Sequence, residues 1–231
     1  MKISIIIPAY NEEKTITLVL DKVFSVTLPE GMAREVIVVN DGSRDQTAEV
    51  LRRYVERQDM KILHQTKQGK TAALVWGIAK AGGDILLIQD ADLEYDPIQY
   101  PALLDPILKR EVDVVYGSRF LGGIKDMRWI NYWANRISNW TLRALYRVIL
   151  TDINTGYKVF KREVIKGIHI HSRNFAFETE VTVKLIRKGI RIKEVPIKYV
   201  ARSHREGKKI SWLTALEMYW PIIKYRFYSS L

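Results

Sequence analysis

The stretch that most constrains this chain is Asp84-Ile-Leu-Leu-Ile-Gln89, followed at once by Asp90-Ala-Asp92-Leu-Glu94. A continuous apolar run of this length reads as a strand buried on both faces, which places it in a sheet covered by helices on both sides. It ends in carboxylates. Successive strand side chains alternate faces, so Asp90 and Asp92 are expected on one side where the sheet stops, with Glu94 curling back toward them. Converging carboxylate oxygens suit a hard divalent cation, and Mg²⁺ usually shares such a site with substrate phosphates. A solvated acidic turn, capping a helix that begins near Pro97, accounts for the same residues without a ligand.

The segments before and after repeat one pattern. Lys2-Ile-Ser-Ile-Ile-Ile-Pro8 reads as a buried strand that leads through Ala9-Tyr10-Asn11-Glu12-Glu13 into a helix with Ile16, Val19, Leu20 and Val23 on its inner face. Glu35-Val-Ile-Val-Val39 closes in Asn40-Asp41-Gly42-Ser43, where Ser43 and Gln46 suggest a capping box for a helix with Ala48, Leu51 and Val55 inside. Lys61 to His64 is a third strand, and Gln68-Gly-Lys-Thr71 precedes a helix over 72–81. The strand with the acidic cluster comes fourth. A helix from Pro97 to Leu108 then leads to Asp113-Val-Val-Tyr-Gly117 and Ser118-Arg119. Strands alternating with helices imply a mostly parallel sheet with right-handed crossovers, and ligands in such sheets bind beyond the carboxyl ends of the strands. Pro8 to Glu12, Asp41, Asp90 and Asp92 fall at those ends. Gln68-Gly-Lys-Thr71 lacks the first Gly of a Walker loop, so Lys70 is either a phosphate contact near a helix start or a solvated lysine.

Composition narrows the classes. The 231 residues are 47% hydrophobic, enough for one large α/β core over 1–231. Cys is absent, which excludes disulfides, thiol nucleophiles and thiolate metal sites. Met1-Lys2 leads straight into a strand, and no apolar run reaches the ~18 residues of a membrane span. The expectation is the cytoplasm or the cytosolic face of a membrane. Lys and Arg number 37 against 26 Asp and Glu, a net +11 that points to anionic partners such as nucleotide phosphates, anionic lipid or nucleic acid.

Much of that charge lies in the second half. Arg128 to Leu150 has helical periodicity, and Arg136, Trp140, Arg143 and Arg147 share one face, with Trp129, Tyr132 and Trp133 at its start. Such a helix suits a membrane interface, or packs on the sheet as an ordinary amphipathic helix. His169 and His171 alternate in an apparent strand and lack the further partners of a zinc site. Gly189 to Tyr199 reads as late strands. Arg202, Arg205, Lys208 and Lys209 follow on a Gly-containing loop that either closes over a diphosphate or forms a cationic tail. Trp212 to Leu231 carries Leu216, Tyr219, Trp220, Ile223 and Phe227 on one side, with charges that exclude a spanning helix.

Val38-Val-Asn-Asp-Gly-Ser43, Asp90-Ala-Asp92 and Gly117-Ser-Arg119, in this order at strand ends, resemble family 2 glycosyltransferases of the GT-A nucleotide-sugar fold. Asp152-Ile-Asn-Thr-Gly-Tyr-Lys-Val-Phe160 and Arg202-x-x-Arg205-Glu-Gly-Lys-Lys-Ile210 narrow the likeness to the polyprenyl-phosphate (dolichyl-phosphate) hexose synthases. The resemblance implies a donor half, 1–120, and an acceptor and membrane-interface half, 121–231. It implies that Pro8, Ala9, Tyr10 and Glu12 line the base and ribose of a nucleotide diphosphate sugar and that Asp41 reads the base or ribose. Lys70 and Ala91 join this donor set. Asp90, Asp92 and Glu94 would hold Mg²⁺ or Mn²⁺ on the diphosphate; Glu94 departs from relatives with Gln there, and Asn40 stands where Asp is common. Arg119, Arg136, Ser138, Asn139, Arg202, Lys208 and Lys209 would bind the acceptor phosphate and the diphosphate. Glu178, with Glu180 second, would lie near the transferred sugar, although a carboxylate favoured by a helix N-terminus accounts for either. Asp92, Arg119 and Glu178 form the implied catalytic set.

The implied reaction is inverting transfer of a hexose, from GDP-mannose or UDP-glucose, to a polyprenyl or dolichyl phosphate at the membrane surface. A phosphate acceptor is already an anion, so positioning and charge neutralisation replace a strong base. The chain would lie on the membrane or dock on a separate membrane protein. A transferase acting on a sugar or polysaccharide hydroxyl would need a poised carboxylate base. A basic membrane- or nucleic-acid-binding module is the non-enzyme alternative; against nucleic acid, the basic residues group around an acidic sheet edge and no recognition motif appears. A membrane-tethered pseudoenzyme is disfavoured by the intact acidic cluster.

Overall fold

A computed structural model describes residues 1–125, 127–172, 174–201 and 212–228. In the first half β1 (Lys2–Ala9), β2 (Ala33–Asp41), β3 (Met60–Gln65), β4 (Ile85–Ile88) and β5 (Val114–Ser118) alternate with α1 (Ile16–Ser25), α2 (Thr47–Arg52), α3 (Lys70–Lys80) and α4 (Tyr100–Leu108). The chain continues through α5 (Arg119–Gly122), β6 (Ile124–Lys125), α6 (Trp129–Tyr146), β7 (Lys158–Lys161), α7 (Arg162–Lys166), α8 (Phe177–Arg187), β8 (Ile192–Pro196), β9 (Tyr199–Val200) and α9 (Trp212–Phe227).

Seven strands form one sheet in the order β3-β2-β1-β4-β7-β5-β8, and β6 pairs with β9 separately. β1 is parallel to β2 and β4, β2 to β3, and β5 to β8. β7 alone runs antiparallel, wedged between β4 and β5. The fold is the α/β, mostly parallel arrangement that the sequence implied. The sequence showed no strand at Lys158–Lys161, because four residues bounded by lysines carry no readable period.

Alternation along the strands builds a core on each side of the sheet. Ile5, Ile7, Val36, Val38 and Leu87 pack with Ile16, Val19, Leu20 and Val23 of α1 and with Leu103, Leu104 and Ile107 of α4. Ile6, Ile37, Val39, Leu86 and Ile88 pack on the other side with Ala73, Leu74 and Ile78 of α3 and with Val181 and Leu185 of α8. Each fully buried aliphatic side chain contributes about 1.5–3 kcal/mol. A third cluster of Leu142, Ile153, Val183, Ile222 and Tyr225 fastens α6 and α9 to α8. None of the described helices is long and apolar enough to cross a membrane.

Several local expectations change. The capping box fails: Ser43 accepts from the Asn11 N–H, while Asp45 accepts from the Thr47 N–H at 3.0 Å and so opens α2. Val55 lies beyond α2 and is exposed, since that helix stops at Arg52. Arg147 leaves the face of α6 because it caps the helix in a left-handed conformation, φ 58°. His169 and His171 lie in no strand; the His171 N–H donates to Glu180.

Candidate active site at the sheet edge

The site grows from loops at the carboxyl ends of β1, β2 and β4. The first two are laced together: Asn11 N–H donates to Ser43, Arg44 N–H to Asn11 Oδ1 and Glu12 N–H to Thr47. Pro8 is half-buried, Ala9 is buried under this loop, and the Lys67 ammonium lies 3.8 Å from the centre of the half-buried Tyr10 ring. Asp41 is buried and accepts from the backbone N–H groups of Gln68 and Gly69, both at 2.8 Å, and from the Gln65 amide at 2.6 Å. Its carboxylate therefore shapes the loop that starts α3.

That loop presents Lys70. Its ammonium lies 2.7 Å from Asp90 Oδ1 and 2.8 Å from Glu178 Oε1. Burial opposes the charge, yet Asp90 and then Glu178 hold the ammonium well above the usual lysine value. Glu178 is buried at the start of α8, and its Oε2 has no hydrogen-bond partner among the described residues.

The acidic loop departs from the expected strand geometry. β4 stops at Ile88, so Asp90 and Asp92 are loop residues, and Leu93 turns the chain at φ 53°. Asp92 Oδ1 accepts from the Glu94 N–H at 3.3 Å. Glu94 is buried, with Oε2 accepting from the Tyr199 hydroxyl at 2.9 Å. Among the described residues no group of three His, Cys, Asp or Glu side chains gathers in a metal-holding cluster. The expected convergence of Asp90, Asp92 and Glu94 is thus corrected: Glu94 turns toward Tyr199. Asp90 itself suits a cation, because Oδ1 already holds an ammonium. A Cβ on Gly156 would press into Asp90 Oδ2, so glycine is what admits the carboxylate there. Ala91 is buried beside it.

Buried polar contacts fix this loop from behind. Gln89 Oε1 accepts from the hydroxyls of Tyr100 and Tyr157, both at 2.8 Å, and its amide donates to the carbonyls of Asp90 and Tyr95. Gly156 N–H donates to the Tyr95 hydroxyl at 2.9 Å.

Arg119 is also buried. Its Nε and Nη2 each lie 2.7 Å from Asp152, a bidentate pair, and Nη2 also donates to Asn135 of α6. Burial disfavours its charge, but Asp152 holds the guanidinium above its usual value. Arg119 sits 5.1 Å over the Tyr199 ring, whose hydroxyl reaches Glu94. One aromatic thus separates the acidic loop from the buried arginine. Glu194 accepts from the N–H groups of Thr151 and Asp152, and burial raises its own value.

Beyond Arg119 the surface becomes cationic and aromatic. Arg136 stacks between Phe120 (5.9 Å) and Trp140 (5.4 Å), and no carboxylate pairs with it among the described residues. Trp129, Trp133, Ile137 and Trp140 are exposed, Trp129 by 76%. Ser138 and Asn139 face inward instead. Ser138 donates to the Ala134 carbonyl, while Asn139 donates to Thr151 O and accepts from the Ile153 N–H. Asn139 thus binds α6 to the 151–153 loop, while the Ser138 bond stays within the helix. Glu180 is spent on Lys184, His171 N–H, Ser172 N–H and the Tyr225 hydroxyl, which clamps α9. Arg202, Arg205, Lys208 and Lys209 lie outside the described residues.

The model of glycosyl transferase family 2 matches residues 4–168, well over half of the chain. The chain belongs to that family. This glycosyltransferase is 33% identical over 221 residues to the undecaprenyl-phosphate mannosyltransferase of Micrococcus luteus, covering 90% of the chain and 87% of the relative. It is 29% identical to the dolichol-phosphate mannosyltransferase of Pyrococcus furiosus, covering 90% of the chain but 59% of the relative. A 4-deoxy-4-formamido-L-arabinose transferase acting on undecaprenyl phosphate, from Edwardsiella ictaluri, is 28% identical, with 62% of its length covered. The chain therefore spans less than two thirds of the length of the latter two. Glucosyl-3-phosphoglycerate synthase of Mycobacterium tuberculosis, solved with Mn²⁺, UDP-glucose and phosphoglyceric acid, superposes with a TM-score of 0.77 at 22% identity, covering 97% of the chain and 79% of that structure. The fold is GT-A.

Sequence reasoning missed four supports of this glycosyltransferase: Asp152, Gln89, Gly156 and Lys158. Lys158 is fully buried, donates to the Ile153 carbonyl at 2.9 Å and lies over the Tyr116 ring; burial lowers it to about 7. Asp152, Gly156 and Lys158 all lie in the 152–160 motif, whose density of polar residues was the available signal.

Proposed function

We propose that this glycosyltransferase moves a hexose from a nucleotide diphosphate sugar to a polyprenyl phosphate, with inversion, on the cytosolic membrane surface. One observation carries the reading: Tyr199 touches both Glu94 of the acidic loop and Arg119, and Arg119 reaches α6, where the half-buried Arg136 lies between Phe120 and Trp140 beside exposed tryptophans. A phosphate-bearing lipid has its headgroup partner and its apolar surroundings on one helix, beside a donor site. The names of the curated relatives support the acceptor, and two of them name mannose.

In this reading residues 1–120 hold the donor, with Tyr10, Glu12 and the Asp41-shaped loop around the nucleotide and Lys70 at the diphosphate. Asp90 and Asp92 would hold Mg²⁺ or Mn²⁺, the chemistry of their oxygens suiting a hard cation that stabilises the departing diphosphate. Residues 121–231 hold the acceptor. Arg136 binds its phosphate, and Arg119, locked by Asp152, supplies a fixed positive field beside the reacting groups. Arg202, Lys208 and Lys209 would add cations from the following loop. The acceptor oxygen is already anionic, so it attacks the anomeric carbon as the bond to the diphosphate breaks, and no protein base is required. Glu178 accepts from a sugar hydroxyl through its Oε2. Exposed tryptophans on α6 enter the lipid headgroup region.

The test is an incubation of the protein with Mn²⁺ or Mg²⁺, a panel of nucleotide sugars and a short polyprenyl phosphate, read by mass spectrometry of the lipid. A hexosyl polyprenyl phosphate is the expected product. Transfer only to sugar hydroxyls, or hydrolysis alone, would overturn the assignment.

A further inference from the structure

The position of Lys70 reaches beyond donor binding. Its ammonium makes two close ion pairs at once, with Asp90 of the acidic loop and with Glu178 of α8, and its side chain is only 19% exposed. Two carboxylates that share one ammonium have room for one cation between them; with that cation gone, they repel each other. The second Glu178 oxygen is buried without a partner, so the triad carries an unused acceptor beside the place where a cation is held. Gly69 precedes Lys70 at φ 99°, and Asp41 holds the N–H groups of Gln68 and Gly69, so the lysine is anchored at the base of α3. The neighbouring Thr71 N–H and hydroxyl both donate to the Asn174 carbonyl at 2.8 Å, which ties this turn to the segment entering α8.

We infer that Lys70 is the resident counter-cation of Asp90, which a divalent ion must displace before it can bind there. This rests on the assignment of Asp90 as a metal ligand. In the metal-free protein the ammonium keeps Asp90 and Glu178 from repelling each other and holds α8 against the acidic loop. When a divalent ion takes Asp90 Oδ1, the ammonium keeps Glu178 and swings off the aspartate toward the space that the diphosphate enters. Lys70 thereby sets the metal concentration at which the site fills, and it ties filling to the placement of Glu178.

Mn²⁺ binding to the full chain, followed by electron paramagnetic resonance of free Mn²⁺ without nucleotide or lipid, tests this directly. Lys70→Met should bind Mn²⁺ about tenfold more tightly than the unaltered protein, while Asp90→Asn should bind at least about tenfold more weakly. Lys70→Gln, which also removes the charge, serves if the methionine variant fails to fold, as judged by circular dichroism and thermal melting. Equal or weaker Mn²⁺ binding in both Lys70 variants, with loss in Asp90→Asn, would overturn the inference and leave the metal assignment standing. Binding unaffected by Asp90→Asn would overturn the metal assignment itself, and the inference with it.

Discussion

The acidic sheet edge and the exposed face of α6 handle charge in opposite ways. At the sheet edge, charged groups arrive already partnered: Asp41 with backbone N–H groups, Asp90 and Glu178 with Lys70, Arg119 with Asp152, Glu180 with Lys184 and Tyr225. On α6, the partners of Arg136 among the described residues are aromatic faces, and Trp140 is half exposed. Buried polar networks are costly to leave half-made and hold one geometry. Exposed cations and aromatics cost little to reposition and can accept a partner that varies in length. Under the proposed function, a nucleotide of fixed shape and a lipid chain of loose shape would call for this division.

Breaking the partnered region should have the larger effects. Asp92→Ala should lower transfer by roughly a thousandfold or more while the circular dichroism spectrum is retained; near-normal turnover would remove Asp92 from the chemistry. Glu180→Gln comes next, read as stability. Burial opposes the Glu180 charge, but Lys184 and three further donors hold its carboxyl down to about 2 from an ordinary 4.5. A depressed carboxylate stabilises the fold above its unfolded value, and that contribution fades as pH falls from about 4.5 toward 2. The variant should be about 2–3 kcal/mol less stable at pH 7 and should lose less on acidification, as measured by urea unfolding at pH 7 and pH 3. Gly156→Ala should displace Asp90 and cost roughly ten- to a hundredfold in turnover, with the melting temperature changed far less than by a core deletion.

The exposed face should respond more mildly and more selectively. Arg136→Ala should raise the acceptor KM by about tenfold and leave nucleotide binding unchanged; equal losses of both would erase the contrast between the regions. Trp140→Ser should reduce binding to anionic vesicles a few-fold, by about 1 kcal/mol, without altering nucleotide binding.

The sheet was legible because β1, β2, β4 and β5 each carry an apolar run followed by a polar turn, a pattern set by burial on both faces. Asp90 and Asp92 were legible for the same reason: strand ends show where loops begin. Their geometry was not, because β4 stops at Ile88 and the loop is shaped by Gln89, held by Tyr95 nearby and by Tyr157 far along the chain. The meeting of Arg136 and Trp140 on one face of α6 was legible in the helical spacing. The backbone partners of Asn139 were not legible, because its type fits a phosphate site as well as it fits the groups of Thr151 and Ile153 that it binds. The triad of Lys70, Asp90 and Glu178 joins three elements, and nothing in local periodicity announces such a meeting. Lys158–Lys161 was invisible as a strand because its place depends on the gap between β4 and β5.

That gap matters during synthesis. β4 and β5 are made early, yet in the sheet they are joined through β7, a strand of opposite direction that appears some forty residues after β5. Until Lys161 clears the ribosome, the middle of the sheet has two bare borders and the Asp90 loop lacks Gly156 behind it. A growing chain stalled near residue 120 would hold the whole acidic loop and an unfinished sheet, a species that should cling to chaperones and yield readily to protease.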